Sequence, residues 1–225
     1  MKGRKPAAPR GLSVAVRTAK GRSGASQRWL ARQLNDPYVA AARQQGWRSR
    51  AAFKLVELDE RFRLIRRGAR VVDLGAAPGG WTQVAVKRGA TPVVGVDLLP
   101  VDPVPGATVL EGDFTDPEMQ QRLIGELGAS ADLVLSDMAP NTTGHAATDH
   151  LRIMALAEAA LAFALEVLGD GGGFVAKVFQ GGAEKAMLNT LKRHFASVRH
   201  AKPPASRKES SELYVVATGF RLSQE

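Results

Sequence analysis

An α/β fold with a seven-stranded, mostly parallel sheet and helices on both faces is the architecture that the sequence predicts. The first observation behind it is that short apolar runs alternate with longer helical segments from residue 70 onward, a pattern typical of parallel strands joined by helices. The second is size, because 225 residues with 44% hydrophobic composition suit one compact domain with its own core.

The region before this alternation is divided into two parts. Residues 1–25 are rich in Gly, Pro, Lys and Arg and carry few large apolar side chains, so we expect a flexible basic arm. Residues 26–225 are expected to form a single domain, with N-terminal helices in residues 26–68 and the sheet-containing core in residues 69–225.

Three short helices are expected in residues 26–68. The first spans about Ser26–Leu34, and the second begins at Asp36-Pro37, where a capping carboxylate precedes a proline at the first helical position. The third begins after Ser49, because apolar side chains then recur at spacings of three and four, and we expect Gly68 to end it.

The core should contain seven strands and four helices. The strands are expected at Arg70–Leu74, Pro92–Asp97, Thr108–Glu111, Ala131–Ser136, Gly173–Val178, Ser197–Ala201 and Glu212–Thr218. The helices are expected near Gly80–Arg88, Asp116–Leu127, Asp149–Leu168 and Gly182–His194. The glycines at 171–173 are interpreted as a turn after the third of these helices.

The net charge of +9 belongs to the N-terminal end of the chain, since residues 1–56 contain 13 lysines or arginines and one acid, Asp36. Aromatic residues interleave with these cations at Trp29, Tyr38, Trp47 and Phe53. The pattern favours a nucleic acid as partner, because cations that neutralise phosphates release condensed counterions. A solubilising tail or a segment that binds anionic membranes is the alternative.

Composition also disfavours several classes of protein. The chain has no cysteine, which excludes disulfides, thiolate metal sites and cysteine nucleophiles. No run of 18 apolar residues occurs, so we expect no membrane span, and the four histidines lack the spacing of metal ligands. The N-terminus lacks the apolar segment of a secretory signal, and its prolines and glycines oppose a transit peptide, so we expect a cytoplasmic protein.

Candidate ligand-binding residues follow the predicted strands, at the edge where open parallel sheets bind ligands. The first strand leads into a small-residue turn at 73–81, where Gly75 and Gly79 permit close backbone approach. Asp97 ends the second strand, where a carboxylate can accept from ribose hydroxyls, and Asp113 follows the third, where an acid can accept from an adenine amino group. The turn lacks the spacing of a dinucleotide or phosphate-binding loop, so S-adenosylmethionine meets this description.

Three further charged residues border apolar runs. Asp137 follows the fourth strand, Lys177 interrupts the fifth, and Glu212 begins the last. A lysine within an apolar strand is costly to bury unless a carboxylate partners it. A structural salt bridge, or a lysine that reaches water from the strand end, is the alternative explanation.

The chain resembles the RrmJ/FtsJ family of RNA 2′-O-methyltransferases from about Gly24 to Arg221. The segments that carry the resemblance are Ser49–Leu55, Asp73–Trp81, Asp97–Pro100, Ser136–Asn141, Lys177–Gln180 and Glu212–Gly219. The resemblance implies a Rossmann-like S-adenosylmethionine-dependent methyltransferase fold, with S-adenosylmethionine as cofactor and no metal.

The resemblance also implies which residues function. The catalytic residues would be Lys54, Asp137, Lys177 and Glu212. The cofactor-binding residues would be Gly79, Trp81, Asp97, Asp113 and Asp137. Lys177 would direct a ribose 2′-hydroxyl at the methyl group, either as a neutral amine that takes the proton or as an ammonium that orients the oxygen.

The substrate implied by the resemblance is a uridine of 23S rRNA in the large (50S) ribosomal subunit, modified in support of ribosome assembly. We expect a monomer, because no exposed apolar stripe is left over after the core is assigned. Cations that could flank the site are Arg28, Arg32, Arg48, Arg50, Lys54, Lys202, Arg207 and Lys208. The alternatives are another RNA (tRNA, an mRNA cap or mitochondrial rRNA) or a non-catalytic RNA-binding assembly factor, which the complete set of four catalytic residues disfavours.

Overall fold

The computed structural model describes residues 24–140, 144–179 and 184–222. The predicted basic arm lies outside these ranges except for its last two residues, which begin the first helix. Asn141 and Gln180, which end two of the segments that carry the family resemblance, also lie outside them, as do the side chains of Arg28, Trp29 and Arg32. The boundary between arm and domain therefore stays a prediction.

The predicted strands form one sheet. They are β1 (Val71–Leu74), β2 (Val93–Asp97), β3 (Thr108–Glu111), β4 (Ala131–Ser136), β5 (Leu168–Phe179), β6 (Phe195–Ala201) and β7 (Glu212–Phe220). The order across the sheet is β3-β2-β1-β4-β5-β7-β6. The first five strands in this order, β3, β2, β1, β4 and β5, are parallel to one another. Strand β7 runs antiparallel to both β5 and β6. The prediction of a mostly parallel seven-stranded sheet is confirmed.

Helices cover both faces of the sheet, as predicted. They are α1 (Gly24–Leu34), α2 (Pro37–Gln45), α3 (Ala52–Phe62), α4 (Gly80–Lys87), α5 (Pro117–Leu127), α6 (Ala146–Val167) and α7 (Glu184–His194). Successive strand residues point to opposite faces, so Val72 packs in a core with α5, α6 and α7. Its neighbour Val71 packs in a second core with α3 and α4.

The predicted start of α2 is confirmed in detail. The Asp36 carboxylate accepts from the Tyr38 N–H at 2.9 Å, and Pro37 occupies the first helical position. The same arrangement begins α5, where Asp116 accepts from the Glu118 N–H at 3.0 Å. In both helices a side-chain oxygen satisfies a backbone donor that has no partner within the helix.

The expected end of the third helix was wrong, because α3 ends at Phe62 rather than at Gly68. Arg63 adopts a left-handed conformation (φ 55°), and its N–H donates to the Asp59 carbonyl at 2.7 Å. The Asp59 carboxylate then accepts from the Ile65 N–H at 2.8 Å. The apolar spacing continued beyond the helix because Leu64 and Ile65 still pack on the core.

Two strand starts were also placed too late. Strand β5 begins at Leu168, directly after α6, and β6 begins at Phe195, directly after α7. The pairing of β4 with β5 shifts between Ala131 and Leu133, so the glycine-rich segment lies in an irregular stretch of β5 rather than in a turn before it. The interpretation of residues 171–173 as a turn between helix and strand is thereby corrected.

Candidate active site

The site lies at the carboxyl edge of the parallel strands, around the neighbouring strands β1 and β4. The chain crosses from β1 to β2 on one side of this pair and from β4 to β5 on the other, so the connections diverge and leave a crevice between the two strand ends. The turn after β1 and the segment after β4 border this crevice, and Gly75 approaches Met138 so closely that a Cβ would lie 2.8 Å from the Met138 Cγ.

The four predicted catalytic residues come from four different elements and meet here. Lys177 lies in β5, and its Nζ contacts both the Asp137 Oδ1 and the Asp137 carbonyl oxygen at 2.8 Å. Lys54 lies in α3, and its Nζ contacts the Glu212 Oε1 at 2.8 Å. The two pairs are adjacent, since the Lys177 Nζ is 3.8 Å from the Glu212 Oε2.

Tyr214 connects the two pairs. Its hydroxyl donates to the Asp137 Oδ1 at 2.6 Å and accepts from the Lys54 Nζ at 3.1 Å. Sequence reasoning missed this residue, although a signal was available. Glu212 and Tyr214 are two residues apart in a strand, and alternate strand residues point to the same face. Their β5 partners, Phe179 and Lys177, are likewise two residues apart.

Ser206 is the second residue that sequence reasoning missed. Its buried hydroxyl donates to the Glu212 Oε1 at 2.8 Å. The loop that carries Ser206 is fixed against α3, because the Glu57 carboxylate accepts from the Ala205 N–H at 2.7 Å and Arg50 donates to the Ala205 carbonyl. No local sequence pattern indicates that this loop folds back onto the acid that follows it.

Charges within the cluster compensate for burial. Both lysines are buried, and burial alone would raise the pKa of the Asp137 carboxyl. The ammonium groups of Lys177 and Lys54, with hydrogen bonds from Lys177 and Tyr214, outweigh that effect and hold the pKa of Asp137 below its ordinary value. Burial, together with the nearby Asp137 and Glu212 carboxylates, raises the pKa of Tyr214 well above its ordinary value, so its hydroxyl stays protonated.

The glycine turn between β1 and α4 has the features of a ligand cradle. Gly79 has φ 104°, a conformation that residues with a Cβ rarely adopt, and a Cβ there would lie 2.6 Å from the Arg48 Nη1. No side chain caps the N-terminus of α4 that follows. One carboxylate oxygen of the fully buried Asp73, below this turn, has no hydrogen-bond partner among the described residues, whereas the other accepts from the Thr82 hydroxyl at 2.7 Å.

Asp97 and Asp113 lie on the β2–β3 side of the turn. The Asp97 carboxylate accepts from the Ala77 N–H and the Leu99 N–H, both at 2.9 Å, which fixes it against the glycine turn. The Gly112 N–H donates to the Asp97 carbonyl at 2.8 Å and brings Asp113 alongside. Asp113 is exposed, and hydrogen bonds from Thr115 lower the pKa of its carboxyl.

Trp81 lies beside the same turn, but its side chain faces the core. The indole is 3% exposed, and its N–H donates to the Ala51 carbonyl at 2.9 Å. Its ring packs against Tyr214 with centroids 5.6 Å apart. Any contact between Trp81 and a ligand in the crevice must therefore be made by its backbone, in the first turn of α4.

Several cations that were expected to flank the site bind the protein itself. Arg48 donates to the Pro78 and Asp102 carbonyls, Arg50 pairs with Asp36 at 2.8 Å, and Lys202 donates to two carbonyls of its own loop. Two of the interleaved aromatic residues, Tyr38 and Phe53, pack on each other. Among the N-terminal cations whose side chains the structure describes, Arg48 and Arg50 thus bind other segments of the protein.

The sheet order, with an antiparallel β7 between β5 and β6 and a glycine turn after β1, defines a Rossmann-like methyltransferase fold. The chain belongs to the FtsJ-like methyltransferase family, whose model matches residues 47–220. In the described ranges, no helix has both the length and the apolarity that a membrane crossing requires.

Relatives cover nearly the whole chain. A Gluconobacter oxydans protein named ribosomal RNA large subunit methyltransferase E is 74% identical over 212 residues, which are 94% of this chain and 79% of the relative. A Granulibacter bethesdensis protein of the same name is 72% identical over 216 residues, covering 96% of this chain and 94% of the relative.

A solved structure agrees with these relatives. It is that of a Plasmodium falciparum protein provisionally assigned as a ribosomal RNA methyltransferase, and it aligns with a TM-score of 0.70 at 27% identity. The alignment covers 77% of this chain and 98% of the other. The prediction of family membership from the sequence is confirmed.

Proposed function

We propose that this chain transfers a methyl group from S-adenosylmethionine to the ribose 2′-hydroxyl of a uridine in 23S rRNA of the large ribosomal subunit. The observation that carries the proposal is the buried Lys177 nitrogen at the edge of the crevice, which contacts both the carboxylate and the backbone carbonyl of Asp137. The names of the relatives favour large-subunit rRNA over tRNA. We further propose that the enzyme acts as a monomer in the cytoplasm, where large subunits assemble.

The residues around the glycine turn fit the cofactor. Asp97 has unused lone pairs on both carboxylate oxygens for the ribose hydroxyls, Asp113 is exposed for an adenine amino group, and Gly79 leaves room beside the uncapped start of α4. The backbone of Trp81 and the side chain of Asp137 would complete the contacts. S-adenosylmethionine, when bound, supplies a methyl group on a positively charged sulfur, which an oxygen nucleophile can take directly.

The role we propose for Lys177 follows from the geometry of its nitrogen. Asp137 accepts two hydrogen bonds from this nitrogen, which leaves its remaining tetrahedral position for the substrate oxygen. That position holds an N–H in the ammonium form, which orients the 2′-oxygen, and a lone pair in the amine form, which takes the hydroxyl proton. Fixing the oxygen in line with the methyl group is the main contribution to the rate.

The other members of the cluster position Lys177. Asp137 fixes its nitrogen, and Tyr214 donates to the same Asp137 oxygen that Lys177 contacts. Lys54 binds Glu212 and Tyr214, so it neutralises one carboxylate and holds the hydroxyl that contacts the other. With Lys177 in its ammonium form, two cations and two anions leave the buried cluster without net charge, which limits the cost of burying it.

The test is transfer of labelled methyl from S-adenosylmethionine to methyl-depleted 50S subunits, free 23S rRNA and tRNA, followed by mapping of the modified nucleotide. We expect label in 50S subunits, at a uridine whose 3′-phosphodiester resists alkaline hydrolysis, because a 2′-O-methyl group removes the attacking hydroxyl. Label confined to tRNA would overturn the proposed substrate. Label on a base, which leaves the phosphodiester alkali-sensitive, would overturn the proposed chemistry.

A further inference from the structure

Two open clefts meet along the solvent-facing side of α4. One, of about 240 Å³, lies between Trp47, Arg48 and the helix. The other, of about 600 Å³, lies between Arg67, Arg88 and the end of the helix. Val86 and Lys87 line both clefts, so the two form one continuous depression, which we call the α4 groove.

The α4 groove is basic. Its charged lining residues are Arg48, Arg67, Lys87 and Arg88, and none of the described residues that line it is acidic. Arg48 is occupied by backbone carbonyls, and Arg88 pairs with Asp59 at 3.0 Å. Arg67 and Lys87 are exposed, and neither forms an ion pair with any residue in the described ranges. Two cations therefore face solvent in a concave surface without a neutralising partner.

The fold positions both of these cations. The Lys87 ammonium lies 4.6 Å from the centroid of the Trp47 ring, a cation–π contact that holds it in the groove while its N–H groups remain available. The Gly68 N–H donates to the Gly89 carbonyl at 2.7 Å, which packs the turn before β1 against the turn after α4. Gly89 has φ 87°, and a Cβ there would lie 3.2 Å from the Arg67 Cγ, so the glycine leaves space for Arg67.

The groove connects the two edges of the sheet. Helix α4 begins at the glycine turn, on the edge that carries the catalytic cluster, and ends at Lys87, on the opposite edge just before β2. Its eight residues span about 12 Å. A flexible polyanion with one end in the crevice could thus continue along α4 past Arg48 and Lys87 to Arg67.

We infer that the α4 groove binds the phosphodiester backbone of the substrate RNA outside the target nucleotide, with Lys87 and Arg67 as direct phosphate contacts. The inference rests on the proposed function only in taking RNA as the substrate. Phosphates are the expected ligand because Lys87 and Arg67, the two exposed lining side chains that form no ion pair within the part of the chain that the structure describes, are cations. A stacked base is less expected, because Lys87 already covers one face of the Trp47 ring. Binding through phosphates makes this contact independent of sequence.

The test is the salt dependence of binding to poly(U) for Lys87→Ala, Arg67→Ala and the double variant. A matched control is Arg122→Ala/Lys185→Ala, which removes two exposed cations from α5 and α7. Each phosphate contact on a single strand contributes about 0.7 to the slope of log affinity against log salt. We expect the slope of each single variant to be smaller in magnitude by about 0.7. If the variant and the wild type bind equally at 1 M salt, this difference corresponds to about fourfold weaker binding at 0.15 M salt.

For the double variant we expect a loss of about 15-fold at 0.15 M salt, with the control unchanged. The apparent KM for 50S subunits should rise in the double variant, while kcat and cofactor affinity stay as in the wild type. An unchanged slope in the double variant would overturn the inference. Weaker binding to 50S subunits with unchanged binding to poly(U) and 23S rRNA would also overturn it, because the partner would then be a ribosomal protein. A wild type that binds poly(U) but methylates no rRNA would overturn the proposed function. The salt dependence of poly(U) binding would then still test whether the α4 groove contacts phosphates.

Discussion

Replacing Lys177 by methionine should separate catalysis from folding and cofactor binding. Methionine keeps an unbranched apolar side chain of similar length but removes both 2.8 Å contacts to Asp137. Breaking a buried ion pair costs about 3–5 kcal/mol. Here Tyr214 still donates to Asp137 at 2.6 Å and the Lys54 Nζ lies 3.9 Å away, so we expect about 2–4 kcal/mol.

That loss predicts a fall in Tm of about 5–15 °C for a chain of this size, measured by scanning calorimetry. Methyl transfer, assayed below the lowered Tm, should fall by about 10²–10⁴-fold. The affinity for S-adenosylhomocysteine, measured by titration calorimetry, should stay within a few-fold of the wild-type value. The double variant Lys177→Met/Asp137→Asn should recover part of the stability, because it removes the unpaired anion, but no activity.

A folded Lys177→Met variant that keeps a tenth or more of the wild-type turnover would refute the role of this nitrogen. The acid dependence offers a second check. The lowered pKa of Asp137 contributes stability that is present above its ordinary value of 3.8 and is lost as pH falls through the lower, folded-state value. Lys177→Met lacks the ammonium that lowers this pKa, so its Asp137 contributes less of this acid-sensitive stability, and the difference in unfolding free energy between the wild type and the variant should narrow as pH falls below 3.8.

Three further predictions concern the surroundings of the cluster. Asp97→Ala should weaken S-adenosylhomocysteine binding about 10–100-fold in calorimetry, since it removes charged hydrogen-bond acceptors, and an unchanged affinity would remove Asp97 from the site. Ser206→Ala should cost about 1.5–3 kcal/mol in denaturant unfolding and lower kcat at constant cofactor affinity, with Ser206→Thr restoring both; a restored stability without restored kcat would contradict a positioning role. Burial raises the pKa of Asp73 from 3.8 to about 7, so the folded protein keeps a proton that the unfolded chain loses, and stability falls as pH rises through that window. The Tm of Asp73→Asn relative to wild type should therefore increase from pH 5 to pH 8, and a constant difference would argue against a protonated Asp73.

The sheet could be predicted because the strand patterns are local and strong. β1 is buried at every position, β2 at all but its last, and the segments that follow them are helical at regular spacing. Short-range rules also located the start of α2, where one carboxylate and one proline decide the geometry. The end of α3 could not be found in this way, because the Asp59 side chain stops the helix by bonding a backbone N–H six residues ahead.

The candidate site was only partly accessible from the pattern of residues. Asp97 ends one parallel strand and Asp137 follows another, so their edge of the sheet is predictable. Glu212 begins its strand, and placing it beside Lys177 from the pattern alone requires knowing that β7 is antiparallel to β5, which periodicity could not show. The family resemblance supplied only the grouping of the two residues. Charge counting likewise could not reveal that Arg50 binds Asp36 and the Ala205 carbonyl, because these partners lie in other segments of the chain.

The reversed direction of β7 has a consequence for how such a scaffold can change its specificity. Each parallel strand contributes to the crevice the segment that follows it in the chain. Because β7 runs in the opposite direction, it contributes the segment that precedes it, the ten residues from Lys202 to Ser211. This loop can vary around Ala205 and Ser206 while the ladder between β7 and its two neighbours stays intact, provided that an acid still begins the strand and that the Ser206 hydroxyl still binds it. Diversification of the recognised RNA is therefore separable from preservation of the charged cluster, and exchange of the other residues of this single connection is a direct route to altered substrates.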